Sequence, residues 1–186
     1  MSRFEFSATP LAGLMRVRRQ VLADERGSLS RLFDPQEMAV GGWHLPVAQI
    51  NHTVTRHAGT VRGLHYQLPP HAEHKLVSCV RGEVWDVAVD LRRGSPTFLH
   101  WHAERLSADN ACALWIPEGF AHGFQALEDG VELVYVHSAP YVAASEAGLS
   151  ALDPRLAIAW PLPVQGLSAR DQAHGLVTDG FSGVLL

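Results

Sequence analysis

The chain has 186 residues, of which 47% are hydrophobic and 18% are charged, so it can bury the core of one domain and is not expected to be disordered. Its formal net charge is −4, and no segment concentrates lysine and arginine enough to predict a nucleic acid or a membrane surface as partner. No apolar run has the length of a signal-peptide core at the N-terminus or of a transmembrane helix elsewhere. We therefore expect one cytoplasmic domain over residues 1–186.

Turn-forming residues are frequent, and they favour an all-β fold of short strands. Glycine occurs 16 times and proline 11 times, which is typical of many tight turns and few long helices. In chain order, we predict strands over residues 14–21, 28–33, 47–52, 76–80, 83–91, 97–106, 111–116, 122–127 and 131–138. Short strands at such regular spacing predict a sandwich or a barrel.

The clearest strand signal covers residues 83–91, where Trp85, Val87 and Val89 alternate with smaller or polar residues. A period of two is typical of a strand that is buried on one face only. Helical structure is predicted only at residues 35–38, shortly after residue 145, and within the loop segment that follows residue 161.

The two cysteines, Cys79 and Cys112, lie within apolar segments that are predicted to be strands. Buried cysteines often serve as small hydrophobic residues, and a reducing compartment keeps them as thiols. We expect two free cysteines rather than a disulfide bond.

Two segments, 62–71 and 116–124, are dense in side chains that bind ligands or transfer protons. A metal site with His65 and His122 is one interpretation, and it would suit a metal-dependent oxygenase. However, Gln67 occupies the position at which a second histidine would complete a His-x-His pair. Two imidazoles without a carboxylate on the same face make a poor site for such a metal. We therefore predict a chain that works without a metal or another cofactor.

Proton transfer is the other interpretation of the same residues. A cavity that contains His65, Lys75 and Tyr135 would hold a base, a cation for an oxyanion and an acid. Taken singly, Lys75 could be a charge at a strand edge and Tyr135 a core aromatic. The combination of the three favours an acid–base enzyme.

The order of several motifs along the chain is similar to that of the dTDP-4-dehydrorhamnose 3,5-epimerase family. The resemblance covers residues 14–171. It rests on DERG at 24–27, RGLHYQ at 62–67, Lys75, RGEVWDVAVD at 81–90, GSPTF at 94–98, WIPEGFAHGF at 115–124, DP at 153–154 and AWP at 159–161. It implies a cupin-type jelly roll or β-barrel with few short helices.

The resemblance also implies a role for each catalytic residue. His65 would be the base, and Asp171 would orient its imidazole. Lys75 would stabilise the enolate oxygen, and Tyr135 would return a proton from the opposite face of the sugar. The implied reaction inverts C3 and C5 of dTDP-4-dehydro-6-deoxyglucose to give dTDP-4-dehydrorhamnose.

A nucleotide-linked deoxysugar is therefore the implied ligand. The residues implied to bind it are Arg26, Gln49, Asn51, Arg62, His122, Tyr141, Glu146 and Arg170. In the family, the residue that matches Arg26 reaches the diphosphate of the ligand in the partner subunit. A homodimer with exchanged N-terminal strands is implied.

Several positions depart from the family pattern at places that bind the nucleotide or close over it. Ser28 and Leu29 replace aromatic residues, Ile50 replaces an acidic residue, Val136 replaces a lysine, and Arg170 stands where lysine is common. These departures keep three alternatives open: an epimerase that inverts C3 only, a metal-dependent oxygenase and a non-catalytic sugar-nucleotide-binding protein.

Overall fold

The computed structural model describes residues 2–186, and its regular secondary structure consists mainly of antiparallel strands. In chain order the strands are β1 (Phe4–Ala8), β2 (Met15–Arg19), β3 (Val21–Asp24), β4 (Gly27–Ser30), β5 (Gln49–Thr55), β6 (Val61–Gln67), β7 (Lys75–Arg81), β8 (Glu83–Asp90), β9 (Trp101–Ser107), β10 (Cys112–Ile116), β11 (Phe120–Ala126), β12 (Val131–His137) and β13 (Glu146–Gly148). The helices are α1 (Pro35–Val40) and α2 (Ala169–Gln172), and a 3₁₀ turn covers Ala143–Ser145.

The strands form two large sheets and a separate hairpin. The order in the six-stranded sheet is β1-β2-β10-β7-β12-β5, and the order in the five-stranded sheet is β13-β6-β11-β8-β9. Strands β3 and β4 pair only with each other. The two large sheets are not closed into a barrel, so the predicted all-β fold is confirmed in the sandwich form of a jelly roll.

The hydrophobic core lies between the inner faces of the two sheets. Val77 and Leu133 of the six-stranded sheet pack in one cluster with Val84, Ala88 and Phe124 of the five-stranded sheet. These side chains are at most 2% exposed. Burial of this apolar surface holds the sheets face to face.

Most of the predicted strands are confirmed within a few residues, but residues 97–100 are not extended as predicted. The Asp90 carboxylate accepts hydrogen bonds from the hydroxyls of Ser95 and Thr97, both at 2.6 Å. Leu99 has a φ of 63°. Because the polar turn around Asp90 occupies these residues, strand β9 begins only at Trp101.

Strand β8 is more deeply buried than its alternating pattern predicted. It lies between β11 and β9 in the five-stranded sheet. Its alternate residues Asp86 and Asp90, predicted to lie on the open face, are fully buried. Both aspartates share a face with Ala88, which packs in the core between the two sheets. The opposite face is covered by the C-terminal segment, where Val184 packs with Val87.

The helices occur close to the predicted positions. Helix α1 begins at Pro35, and the Asp34 carboxylate caps it by accepting from the backbone N–H groups of Gln36 and Glu37. The 3₁₀ turn ends at Ser145 instead of following it, and β13 occupies the predicted position. In residues 2–186, no helix combines the length and the apolar composition that a membrane span requires.

Strands β6 and β11 approach each other closely because glycine occupies two facing positions. A Cβ atom on Gly63 would lie 2.5 Å from the Gly123 Cα and 2.7 Å from the His122 carbonyl oxygen. Gly63 also has a φ of 123°, which a residue with a side chain rarely adopts. This close approach sets His65 beside His122 in the pairing of the two strands.

Candidate active site

The two sheets enclose a cavity of about 270 Å³. One wall consists of β5, β7 and β12, and the other consists of β6 and β11. The residues predicted for the site that line this cavity are Gln49, Asn51, Arg62, His65, Lys75, His122, Tyr135, Tyr141, Glu146 and Arg170. The fold therefore brings together side chains from seven separate segments of the sequence.

Asp171 lies directly behind His65, as predicted, and contacts its imidazole. The distance from His65 Nε2 to Asp171 Oδ1 is 2.6 Å, and the Asp171 side chain is only 4% exposed. Asp171 belongs to the short helix α2, and its backbone N–H donates to the capping Ser168 Oγ at 3.0 Å. This cap fixes the carboxylate against strand β6.

The carboxylate of Asp171 decides which nitrogen of His65 can accept a proton. A carboxylate only accepts hydrogen bonds, so Nε2 carries the proton and Nδ1 keeps its lone pair. Burial lowers the pKa of His65, although the hydrogen bond to Asp171 opposes this shift. The imidazole is therefore neutral near pH 7 and has the protonation state of a general base.

Lys75 points into the cavity from the opposite wall and is held by a carboxylate that the sequence analysis did not single out. Lys75 Nζ lies 3.2 Å from Glu73 Oε1, and Glu73 Oε2 lies 2.8 Å from His137 Nδ1. Burial alone would raise the pKa of Glu73, but the hydrogen bond to His137 and the charge of Lys75 lower it overall. Glu73 is thus ionised and keeps the ammonium group in place.

Tyr135 lies on β12, in the same wall as Lys75 and across the cavity from His65. Burial raises the pKa of Tyr135, and the negative charge of Asp86 raises it further. The phenol is therefore protonated at neutral pH and can act as a proton donor. The cavity has a base on one wall and an acid and a cation on the other.

His122 forms a second buried pair with a carboxylate, Asp86. His122 Nε2 lies 2.8 Å from Asp86 Oδ1, and both side chains are at most 6% exposed. Burial raises the pKa of Asp86 despite the opposing effect of His122. Asp86 Oδ2 has no hydrogen-bond partner within residues 2–186. His122 is therefore the contact that compensates for burying this carboxylate.

The rim of the cavity is a network of polar side chains. The Tyr141 hydroxyl donates to Glu146 Oε2 at 2.9 Å, and Arg170 Nη1 contacts the same oxygen at 2.9 Å. Gln49 Oε1 accepts from the backbone N–H of Tyr141 at 3.0 Å. Arg62 forms no ion pair with any residue of the described chain, and its charge is available to an anionic ligand.

Arg26 is the predicted ligand-binding residue that does not line this cavity. It lies at the turn of the β3–β4 hairpin, where its side chain is 84% exposed and pairs with Asp24. The prediction for Arg26 concerned the ligand of a partner subunit, so its role stays a prediction.

Four polar residues of the site were missed as functional candidates: Glu73, Asp86, His137 and His174. Glu73 is two residues before Lys75 in an extended segment, a spacing that places both side chains on one face. Asp86 interrupts an apolar strand, and that interruption was a usable signal. The sequence carried no comparable signal for His137 or His174, because their partners come from distant segments.

Potential metal ligands are grouped at one place in residues 2–186, namely His65, Asp171 and His174. His122, which the metal-oxygenase interpretation required, is outside this group and contacts Asp86. The prediction that the reaction needs no metal stays a prediction.

A jelly roll whose inner cavity sets a neutral imidazole opposite a protonated phenol defines a cupin-type isomerase that works by proton transfer. The comparison with known families agrees. The model of the dTDP-4-dehydrorhamnose 3,5-epimerase family matches residues 8–179, and the chain belongs to this family.

Three relatives illustrate the similarity. The dTDP-4-dehydrorhamnose 3,5-epimerase of Shigella flexneri is 47% identical over 154 residues, which is 82% of this chain and 84% of that protein. The dTDP-4-dehydrorhamnose 3-epimerase of Streptomyces niveus is 39% identical over 177 residues, which is 95% of this chain and 85% of that protein. The crystal structure of the 3,5-epimerase RmlC from Legionella pneumophila, in complex with dTDP-4-keto-L-rhamnose, has a TM-score of 0.88 and 39% sequence identity. The match covers 93% of this chain and 92% of that one.

The pairing of Asp86 with His122 leads to a stability prediction. Because His122→Phe leaves a buried carboxylate without its partner, we expect a loss of about 3–5 kcal/mol in the free energy of unfolding, measured by urea denaturation. The matched control is His102→Phe, which breaks a 2.9 Å contact to Glu104 between partly exposed side chains. It should cost less than about 1 kcal/mol. Equal losses in the two variants would contradict the importance of the buried pair.

Proposed function

We propose that the chain inverts C3 and C5 of dTDP-4-dehydro-6-deoxyglucose and forms dTDP-4-dehydrorhamnose. The observation that carries this proposal is the placement of His65 and Tyr135 on opposite walls of one cavity. Inversion requires a proton to leave one face of a carbon and another to arrive at the opposite face. Membership of the epimerase family and the ligand of the Legionella relative support the choice of substrate.

In the first step, His65 removes the proton from C3, the carbon beside the C4 ketone. The proton moves to Nδ1, the C–H electron pair forms the C3–C4 double bond, and the ketone oxygen becomes an enolate. Asp171 stabilises the imidazolium that results, because its carboxylate accepts the hydrogen bond from Nε2.

The enolate needs a positive charge near its oxygen, because a carbon beside a ketone is only weakly acidic. Lys75 supplies this charge, and Glu73 holds its ammonium group with one oxygen while the other contacts His137. A prepositioned donor of this kind typically contributes about 3–4 kcal/mol to the transition state. The arrangement costs little reorganisation because it exists before the substrate binds.

In the second step, Tyr135 gives its phenolic proton to C3 from the opposite face. The raised pKa of Tyr135 suits this role, since the phenol keeps its proton until the strongly basic enolate carbon forms. His65 then releases its proton to solvent, and the phenolate of Tyr135 takes one up. The same sequence at C5, which is also beside the ketone, completes the double inversion.

The nucleotide part of the substrate would lie along the rim, near Tyr141, Glu146 and Arg170. Arg62 has its charge available in the cavity and suits the diphosphate. These contacts are remote from the reacting carbons, so their binding energy would hold the sugar in register with the base and the acid.

A homodimer is part of this proposal because one element of the chain lacks a packing partner. The β3–β4 hairpin exposes Val21, Leu22 and Leu29, and the last of these is 70% exposed. The outer face of the edge strand β5 exposes Ile50 and Val54, which are 63% and 52% exposed. Packing of the hairpin on β5 of a partner would cover both patches and carry Arg26 towards the partner's cavity.

An epimerase that inverts C3 only is the second candidate. The Streptomyces niveus relative, a 3-epimerase, supports it with 39% identity. Ser28, Leu29 and Ile50, which depart from the family pattern, lie in the hairpin and on β5, where a partner would close the site. The number of carbons that exchange hydrogen with the solvent separates the two candidates.

The cytoplasm remains the predicted compartment. Cys79 and Cys112 are both free thiols, and a reducing compartment suits them. Burial raises the pKa of Cys79 to about 11, so this thiol is also unreactive.

Two variants test the separate roles of the base and the acid. We expect His65→Asn to abolish deuterium incorporation at C3 in heavy water, because no group then removes the proton. Tyr135→Phe should keep this incorporation, since His65 can return a solvent deuteron to the same face, but should slow inversion by about 10²–10⁴-fold. NMR of the dTDP-linked 4-keto-6-deoxyglucose measures both quantities, and calorimetry with dTDP checks that binding is retained.

Each variant serves as the control for the other in this experiment. Normal exchange in His65→Asn would place the base elsewhere. Normal inversion in Tyr135→Phe would show that water or another side chain is the acid.

The dimer is tested by a charge on the hairpin. We expect Leu29→Lys to shift the protein from dimer to monomer in analytical ultracentrifugation, because the lysine would have to be buried in the interface. Leu185→Lys is the matched control, since Leu185 is 69% exposed and lies outside the hairpin. A wild-type monomer, or a Leu29→Lys variant that remains dimeric, would contradict the proposed assembly.

A further inference from the structure

His174 is a partly buried histidine, with 17% of its side chain exposed, for which the proposed reaction has no use. Its Nε2 atom is inaccessible to solvent and has no hydrogen-bond partner within residues 2–186. This atom lies 4.0 Å from Asp171 Oδ1, and the His174 ring lies 5.5 Å from the His65 ring at an angle of 70°. A buried nitrogen without a partner is costly, and it is stabilised when a ligand binds to it.

The ligand that suits this nitrogen is a metal ion. One ligand atom from each of His65, Asp171 and His174 lies within 4.8 Å of the other two. Two imidazoles and one carboxylate form a donor set that zinc uses, with an open position for water or a ligand. We propose that these three residues form a binding site for a divalent transition metal such as Zn²⁺, and that the ion inhibits proton abstraction by His65.

The backbone next to the site makes room for the third ligand. A Cβ atom on Gly148 would lie 2.4 Å from ring atoms of His174, so the imidazole packs directly on this glycine. Gly148 pairs with His65 across strands β13 and β6. The glycine therefore allows the His174 ring to lie beside the His65 ring.

The charges around the site limit its affinity for a metal ion but do not prevent the ion from binding. Asp171 supplies one negative charge, which favours a bound cation. Arg170 Nη2 lies 3.5 Å from His65 Nε2 and opposes a cation. The Arg170 side chain is 54% exposed and paired with Glu146, so it can move away from the ion. We expect weaker binding than at structural zinc sites.

The inhibition follows from the tautomers of His65 and rests on its proposed role as the base. In the metal-free site, Nε2 carries the proton and Nδ1 has the lone pair. A metal ion on Nε2 displaces the hydrogen bond to Asp171 and requires the proton of the neutral ring to sit on Nδ1. The atom that would accept the substrate's proton then has no lone pair.

Zn²⁺ titration calorimetry on tag-free, chelator-treated protein tests the site directly. We expect one Zn²⁺ per wild-type chain and at least about tenfold weaker binding in His174→Gln, which lacks a ligand. Gly148→Ala should weaken binding similarly although all three ligands remain, because the new Cβ displaces the His174 ring. The control His100→Gln removes an exposed histidine outside the cavity and should bind as wild type does.

A second readout is the effect of Zn²⁺ on deuterium incorporation at C3, which should fall in wild type at concentrations that do not affect His174→Gln. Absence of Zn²⁺ binding to wild type, or equal affinities in wild type and His174→Gln, would overturn the proposal. Binding that depends on His174 in a protein that shows no exchange even without metal would support the metal site and contradict the proposed function.

Discussion

The hydrogen bond from His65 to Asp171 is the interaction on which the site depends. It joins strand β6 to the C-terminal helix α2 across 106 residues of sequence. Because the carboxylate accepts from Nε2, it fixes the tautomer and leaves the lone pair on Nδ1, as the proposed base requires. Ser168 caps helix α2 and so positions the carboxylate. The close contact of Gly63 with Gly123 positions strand β6 and the imidazole that it carries. The chemistry therefore rests on the packing of the chain terminus against the sheet.

Many ionisable side chains line the cavity, and pairing between charges reduces the cost of burying them. Burying a charge is costly unless a partner and hydrogen bonds compensate for it. Glu73 joins Lys75 to His137, and Asp86 is compensated by His122. These pairs also set the pKa values that the proposed reaction requires, since Asp86 contributes to keeping the Tyr135 phenol protonated. Stability and acid–base chemistry are thus linked through the same contacts.

The strand and turn patterns were sufficient to predict the all-β fold, and the resemblance to the epimerase family led to ten of the residues that line the cavity. Prediction from the sequence failed where long-range contacts decide the outcome. Strand β6 contains a glycine and several polar residues and does not alternate between apolar and polar positions, so it was not predicted as a strand. The partners of His137 and His174 depend on strand pairing and on the path of the C-terminal segment. Burial of Asp86 likewise depends on packing that periodicity does not report.

A crystal structure of the protein with dTDP-rhamnose, whose C4 hydroxyl prevents the reaction, would test the central claim most directly. The account predicts that C3 lies between the two walls, with His65 Nδ1 on one face and the Tyr135 hydroxyl on the other, each about 3–4 Å away. It also predicts that Lys75 Nζ contacts the oxygen on C4. A sugar that presents the same face to His65 and Tyr135, or that lies outside their reach, would contradict inversion by these two residues.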